Sequence, residues 1–244
     1  MIGDWINGWL PAPASSHAAS FDAVLATAHT EGALIFLSWL VVFAIILVRF
    51  RARPGVAPGA PAGRRWPLVA IAAIVAGDVW LLAGSALPAW LARAAPAPAG
   101  AVEVRVIGEQ YAWNFHYPGS DGRFGRTLPS LITAADPIGI DRSDPAATDD
   151  FVLIGVFVVP VGRPTIVHLS SKDVIHSFTL ATMRVKQDVT PGLPVSTWFT
   201  PVATGSWEVG CSQLCGLGHY RMRALFEVRT EDEWRQFVAD EIAF

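Results

Sequence analysis

Cysteine is scarce: the 244-residue chain has two, Cys211 and Cys215, alongside three methionines. So few thiols exclude a disulfide-braced scaffold. No Cys-x-x-Cys-His occurs, so neither a covalently attached c-type haem nor a fused cytochrome c domain is expected. Charge is scarce too, at 16% of residues against 52% hydrophobic, a balance unusual for a soluble protein. The formal net charge is −3, and no nucleic-acid partner is expected. No repeat is evident. Nothing before residue 32 has the charged start and small-residue cleavage site of a signal peptide, so retention of the first apolar span is expected.

What the chain does hold is concentrated. The run Cys-Ser-Gln-Leu-Cys-Gly-Leu-Gly-His-Tyr-Arg-Met, residues 211–222, puts two thiols, an imidazole and a thioether within twelve residues. That donor set suits copper and excludes calcium and magnesium, which take oxygen. A mononuclear electron-transfer copper needs one Cys, two His and a weak Met. The second Cys is surplus to it, but two thiolates can bridge two ions, each then needing its own imidazole. His219 serves one. The other must come from His17, His29, His116, His168 or His176. His17 and His29 precede an apolar span. His176 follows the extended run 164–170, at a strand-end loop of the kind that carries ligands, whereas His168 lies inside that run. His176 is therefore favoured, with His116 and His168 as alternatives. A Cys211–Cys215 disulfide gives no reason for the His and Met that follow. Zinc accepts Cys and His, but a thioether is a poor zinc ligand. Core packing is the commoner fate of a methionine, and only the place of Met222 beside His219 argues otherwise.

The apolar excess sits in two stretches, 32–48 without a charge and 66–91 with only Asp78. Two transmembrane helices are expected, at about 31–50 and 66–91. The connector 51–65, with its flanking Arg49, is rich in arginine, proline and glycine and lacks acids, so the positive-inside rule places it in the cytoplasm. The segment 1–30 and everything after residue 93 then lie on the periplasmic side of a bacterial cytoplasmic membrane. Asp78 is costly at mid-membrane depth and faces protein or water. A helix-contact role is favoured over a proton path.

An Ala/Pro linker spans 94–100. Runs at 102–107, 112–117, 151–159, 165–170, 196–199, 206–211 and 223–229 read as strands of an antiparallel sandwich or barrel. This is a cupredoxin-like Greek-key pattern occupying 101–230. Thr230 and an acidic first turn predict a terminal helix over 231–244. From Ala101 onward there are 12 Lys/Arg against 17 Asp/Glu, a net of −5. Such a face attracts a basic partner, or is ordinary solubility charge. Six of these acids fall within 119–150, a weakly patterned insertion read as a solvated loop rather than a docking surface.

The segment 173–178, the run Arg-Val-Lys-Gln-Asp-Val-Thr-Pro-Gly at 184–192, and the 211–222 loop together resemble subunit II of the haem–copper oxygen reductases, cytochrome c oxidase. The resemblance runs from the first span through Val228. It implies a dinuclear copper centre, CuA, bridged by Cys211 and Cys215. His176 and Met222 would complete one ion, and His219 with the backbone carbonyl of Gln213 the other. It also implies oxidase subunit I, with its haem, and other oxidase subunits as partners, and cytochrome c as electron donor. The stretch 108–118 resembles the aromatic region beside that centre, with Tyr111 where electrons enter the family and Trp113 as a second candidate.

Three departures stand out. Gly63-Arg-Arg-Trp-Pro67 lacks the acid that relatives often carry near the cytoplasmic start of the second helix. Gln213 replaces a Glu that in many relatives helps bind magnesium at the subunit interface, so that magnesium is in doubt here. Asp188 matches an acid facing subunit I and is left as the candidate for an interface or water-network role. The expected function is that of the electron-receiving subunit of an aerobic terminal oxidase, with oxygen reduced in subunit I. The alternatives are a CuA subunit of a nitric oxide reductase, or a membrane-tethered copper-handling protein acting alone.

Overall fold

A computed structural model describes residues 8–51, 55 and 65–243. The chain divides into two compact units, a helical one (Met1–Leu10 and Ser20–Ala95) and a β-rich one (Pro11–Ala19 and Pro96–Phe244). Most of the arginine-rich connector lies outside the described residues.

In the helical unit, α1 spans Ala18–Arg49, starting well before position 31. The second helical stretch runs Arg65–Ala94, as α2 (Arg65–Leu81), a π-helical turn (Leu82–Ala86) and α3 (Leu87–Ala94). About 20 apolar residues suffice to cross a bilayer, and both stretches are long and apolar enough. Most of their Leu, Ile, Phe and Trp side chains are exposed, as expected of surfaces that meet lipid or other helices. Asp78 is exposed on α2. The Glu31 carboxylate of α1, which the sequence pattern did not single out, packs against Gly77, where any Cβ would collide with it.

The β-rich unit has ten strands: β1 (Val102–Glu109), β2 (Ala112–Tyr117), β3 (Phe151–Ile154), β4 (Val156–Pro160), β5 (Thr165–Ser171), β6 (His176–Leu180), β7 (Val185–Val189), β8 (Val195–Phe199), β9 (Gly205–Cys211) and β10 (Arg223–Arg229). One sheet has the order β3-β2-β1-β5-β8 and the other β4-β10-β9-β6-β7. The expected sandwich is present, with two corrections. The run 151–159 is two strands, because Gly155 adopts φ 71° and carries the chain from one sheet to the other. The pairs β1/β5 and β4/β10 are parallel, because the chain changes sheets between the paired strands instead of turning back through a hairpin.

Alternation builds the core. On β2, Trp113, Phe115 and Tyr117 point inward, and Phe115 stacks on Phe157 of the opposite sheet at 4.8 Å between ring centres. The buried Tyr117 hydroxyl donates to the Val158 carbonyl at 3.0 Å and accepts from its N–H at 2.9 Å. The terminal helix α4 (Glu231–Ile242) opens on a capping box between Thr230 and Glu233 and buries Trp234 and Phe237 against this core.

The outer face of β2 is buried as well, because the 118–150 segment folds over it. Ile138, Ile140 and Ala147 form a small second core with Ile107 and Val152. The acids of this segment are not a solvated run. Asp136 accepts from the backbone N–H groups of Ile138, Gly139 and Ile140, Asp149 from Ser120 and Asp121, and Asp144 from Arg126 and Ala146. Asp141 pairs with Arg126 and Ser143. Fully buried Asp150 meets His116 Nε2 at 2.6 Å and Gly125 N at 2.9 Å. Each carboxylate satisfies turn N–H groups that would otherwise lack partners.

The residues just before α1 are part of this unit. Ala14 N–H donates to Thr182 O and its carbonyl accepts from Val202 N–H, while the Ser15 hydroxyl donates to Met183 O. The strap thus joins the turn before β7 to the chain leaving β8.

Candidate metal centre

Three connections meet at one end of the sandwich: the β1–β2 turn, the β5–β6 loop and the β9–β10 loop. Cys211 closes β9, in register with Phe178 of β6. The long loop is pinched at its base, where Cys211 N–H donates to Met222 O at 3.2 Å, and a 3-10 turn at His219–Arg221 points His219 back toward the thiols. His176 opens β6 immediately beside it.

The donors converge. His176, Cys211 and Cys215 bring their ligand atoms within 4.8 Å of one another. His176 Nδ1 is 4.0 Å from Cys211 Sγ, and the two sulfurs are 3.9 Å apart, both as free thiols. Cys215 Sγ lies 3.6 Å from His219 Nδ1 and 3.7 Å from Met222 Sδ. The Cys211 thiol donates to the Gln213 carbonyl at 3.2 Å, which turns that carbonyl toward the cluster. Cys215, Met222 and His176 are buried. Burial, with Cys211 beside it, pushes the Cys215 thiol up to about 11. A bound soft cation reverses that preference by holding the thiolate.

The competing histidines are occupied elsewhere. His116 is sealed against Asp150 on the far face of β2. His168 bonds Ser196 through Nδ1 at 2.8 Å and Glu103 through Nε2 at 2.9 Å. Of the other residues raised by the sequence, Trp113 is fully buried and sets its ring edge-on to His176, with centroids 5.9 Å apart. Tyr111 is half-buried and lies over Gly218 and Gly216, where a side chain would strike its ring or hydroxyl. Asp188 sits on β7 opposite Ser177, exposed and 3.7 Å from Lys186, outside the cluster.

Two polar residues without a role in the sequence pattern support the cluster. Asp173 Oδ1 accepts from His176 Nε2 at 2.8 Å, and its Oδ2 accepts from Gln110 N–H at 2.7 Å. Burial pushes the Asp173 carboxyl up, but the hydrogen bonds from His176, Gln110 and Val174 outweigh it, leaving it below the usual carboxylate range. With Nε2 donating, Nδ1 is left as a lone pair facing the sulfurs, the arrangement that metal-binding histidines use. An acid three residues before a candidate ligand was the one signal available. The donor softness, the burial and the oriented imidazole fit copper.

The model of a family described as "Cytochrome C oxidase subunit II, periplasmic domain" matches residues 102–228. The chain belongs to the cytochrome c oxidase subunit II family. The alternative cytochrome c oxidase subunit 2 of Bradyrhizobium diazoefficiens is 38% identical over 148 residues, 60% of this chain and 53% of that protein. The cytochrome c oxidase subunit 2 of Cereibacter sphaeroides is 29% identical over 218 residues, 82% of this chain and 68% of that protein. Among solved structures, the periplasmic domain of subunit II of cytochrome oxidase from Bradyrhizobium japonicum is 28% identical. It covers 60% of this chain and 96% of that domain, with a TM-score of 0.45. The chain spans about half the length of the Bradyrhizobium diazoefficiens relative. The family's members are subunits of an oxidoreductase, and membership implies copper.

Proposed function

We propose that this chain is the electron-receiving subunit of an aerobic terminal oxidase. It takes electrons from cytochrome c at a dinuclear copper centre and delivers them to haem in subunit I, where oxygen is reduced to water. The observation that carries the reading is the convergence of Cys211, Cys215, His176, His219 and Met222 on one buried spot. Their three side-chain types, thiol, imidazole and thioether, suit copper, and the two thiols serve two ions at once. Cys211 and Cys215 would bridge, with His176 and Met222 completing one ion and His219 and the Gln213 carbonyl the other. When bound, the copper pair supplies a one-electron carrier.

The chain's own residues shape that carrier. Asp173 fixes the His176 tautomer. Burial of His176, Cys215 and Met222 excludes water and limits the rearrangement that accompanies a change of charge. Tyr111, half-exposed over the loop, is the aromatic at which a donor gains access, and fully buried Trp113 packs its ring edge-on to His176 behind it. The two apolar helices anchor the subunit in the bacterial cytoplasmic membrane, with the β-rich domain on the periplasmic side and the arginine-rich connector in the cytoplasm.

The test uses the full chain in detergent, loaded with copper. Electron paramagnetic resonance should show one unpaired electron shared over two coppers; a four-line mononuclear spectrum, or zinc at stoichiometric level, overturns the reading. In the purified complex, reduced cytochrome c should drive oxygen uptake. Consumption of nitric oxide without oxygen uptake assigns the subunit to a nitric oxide reductase instead.

A further inference from the structure

The β1–β2 turn carries no metal ligand, yet it touches both loops that do. Gln110 donates its backbone N–H to Asp173 Oδ2 at 2.7 Å, on the carboxylate whose other oxygen holds His176. Its side-chain amide Nε2 donates to the Cys215 carbonyl at 2.6 Å. These partners stand 63 and 105 residues away in sequence. The loop is shaped to receive that amide. Gly216, at φ 129°, has no Cβ, and one placed there would come within 2.8 Å of Gln110 Nε2 and 2.6 Å of the Tyr111 hydroxyl. The turn is itself pinned, through Lys172 N–H to the Gly108 carbonyl and Lys172 Nζ to Glu109 at 2.6 Å.

We propose that Gln110 is a positioning residue that ties the Cys215 loop to the His176 loop, so that thiol and imidazole donors are held at one spacing. The tie has two independent halves: the backbone N–H survives any substitution except proline, while the side-chain donor at this reach belongs to Gln. Removing the amide frees the Cys215 carbonyl and leaves the middle of the loop to be placed by its sulfur contacts, with backbone bonds at its base, Cys211 N–H to Met222 O and Ser212 N–H to Ser177 O, still in place. The proposal rests on the copper reading for its metal arm, but its loop-ordering arm does not.

The experiment compares the full chain in detergent with Gln110→Glu and Gln110→Ala. Glu keeps the size of the side chain but puts an acceptor-only carboxylate against the Cys215 carbonyl, so wild-type behaviour of Gln110→Glu would show that the amide bond has no positioning role. Hydrogen exchange on the metal-free proteins is expected to show faster exchange across 212–218 in both variants and no change in β9 or β10. In copper titrations, dinuclear-centre formation is expected to weaken 10- to 100-fold, the range for lost partners of metal ligands, with a mononuclear signal growing in its place. Unchanged exchange together with unchanged copper affinity in Gln110→Glu overturns the proposal, whether or not Gln110→Ala folds. If wild type itself forms no dinuclear centre, the copper reading fails, and the exchange arm still decides whether Gln110 ties the loops.

Discussion

His176 Nδ1 lies 4.0 Å from Cys211 Sγ, although 35 residues separate them in sequence. Strand pairing brings them together: β6 starts at His176 and runs antiparallel to β9, which ends at Cys211. The imidazole is therefore placed by the sheet and its tautomer by Asp173. The thiols of a short glycine-containing loop then come to a fixed histidine, rather than the reverse.

From this placement, His176→Ala is expected to abolish the dinuclear copper spectrum while leaving the sandwich folded. Copper content should fall to one ion or fewer per chain, read by metal analysis and electron paramagnetic resonance. His168→Ala should leave the spectrum as in wild type, because both ring nitrogens of His168 are engaged by Ser196 and Glu103 on the other sheet. Loss of the spectrum in His168→Ala with retention in His176→Ala would reverse the ligand assignment.

His116 makes a different prediction. Its pair with Asp150 has no exposed surface on either side chain. Removing one partner of such a pair costs about 3–5 kcal/mol, because the remaining polar group stays buried with fewer partners. His116→Ala should lower the melting temperature of the β-rich unit by on the order of 10 °C, followed by circular dichroism. The copper spectrum of the folded fraction should not change. A melting temperature within 2 °C or so of wild type would show that the insertion is not fastened there.

The sequence showed the copper loop plainly because four soft donors fall within one twelve-residue run. It left His176, His116 and His168 in competition because a histidine does not announce its partner; Asp150 and Glu103 became visible as partners only in three dimensions. Most strands were legible from alternating apolar residues. β6 and β7 were not, for opposite reasons: His176–Leu180 is buried at four of its five positions and shows no alternation. Val185–Val189 is an edge strand that presents Lys186 and Asp188 outward and places polar Gln187 between the buried Val185 and Val189 on the other face. Gln110 and Asp173 act through hydrogen bonds across long chain separations, which leave no periodic trace. The acids of 119–150 counted correctly as charge, but each was committed to a turn.

Met222 separates packing from ligation. Its side chain is buried, and its sulfur is 3.7 Å from Cys215 Sγ. Met222→Leu nearly conserves volume and should cost less than about 1.5 kcal/mol, so the metal-free protein should melt within roughly 5 °C of wild type. Leu offers no thioether, and weak axial sulfur tunes the potential of copper–thiolate sites. Two coppers should still bind, with a shifted reduction potential and altered visible absorption. An unchanged potential would reduce Met222 to a packing residue.

Acid should release the 119–150 segment before it disturbs the sandwich. Hydrogen bonds from Ser143, then Arg126, hold the Asp141 carboxyl down to about 2, and backbone N–H groups of Arg126 and Ala146 keep Asp144 below its ordinary range. A carboxylate whose folded pKa is depressed adds stability above its unfolded pKa of about 3.9, and loses it as pH falls through the folded value. The contribution is therefore complete above about pH 4 and gone near pH 2, the window set by Asp141. Hydrogen exchange or limited pepsin digestion across this interval should open 119–150 first. Asp141→Asn should move that opening to higher pH and weaken it at neutrality, since Asn retains the Ser143 contact but not the charge on Arg126. Simultaneous opening of the segment and the sheets, at the same pH in both proteins, would mean that these acids do not act as its latch.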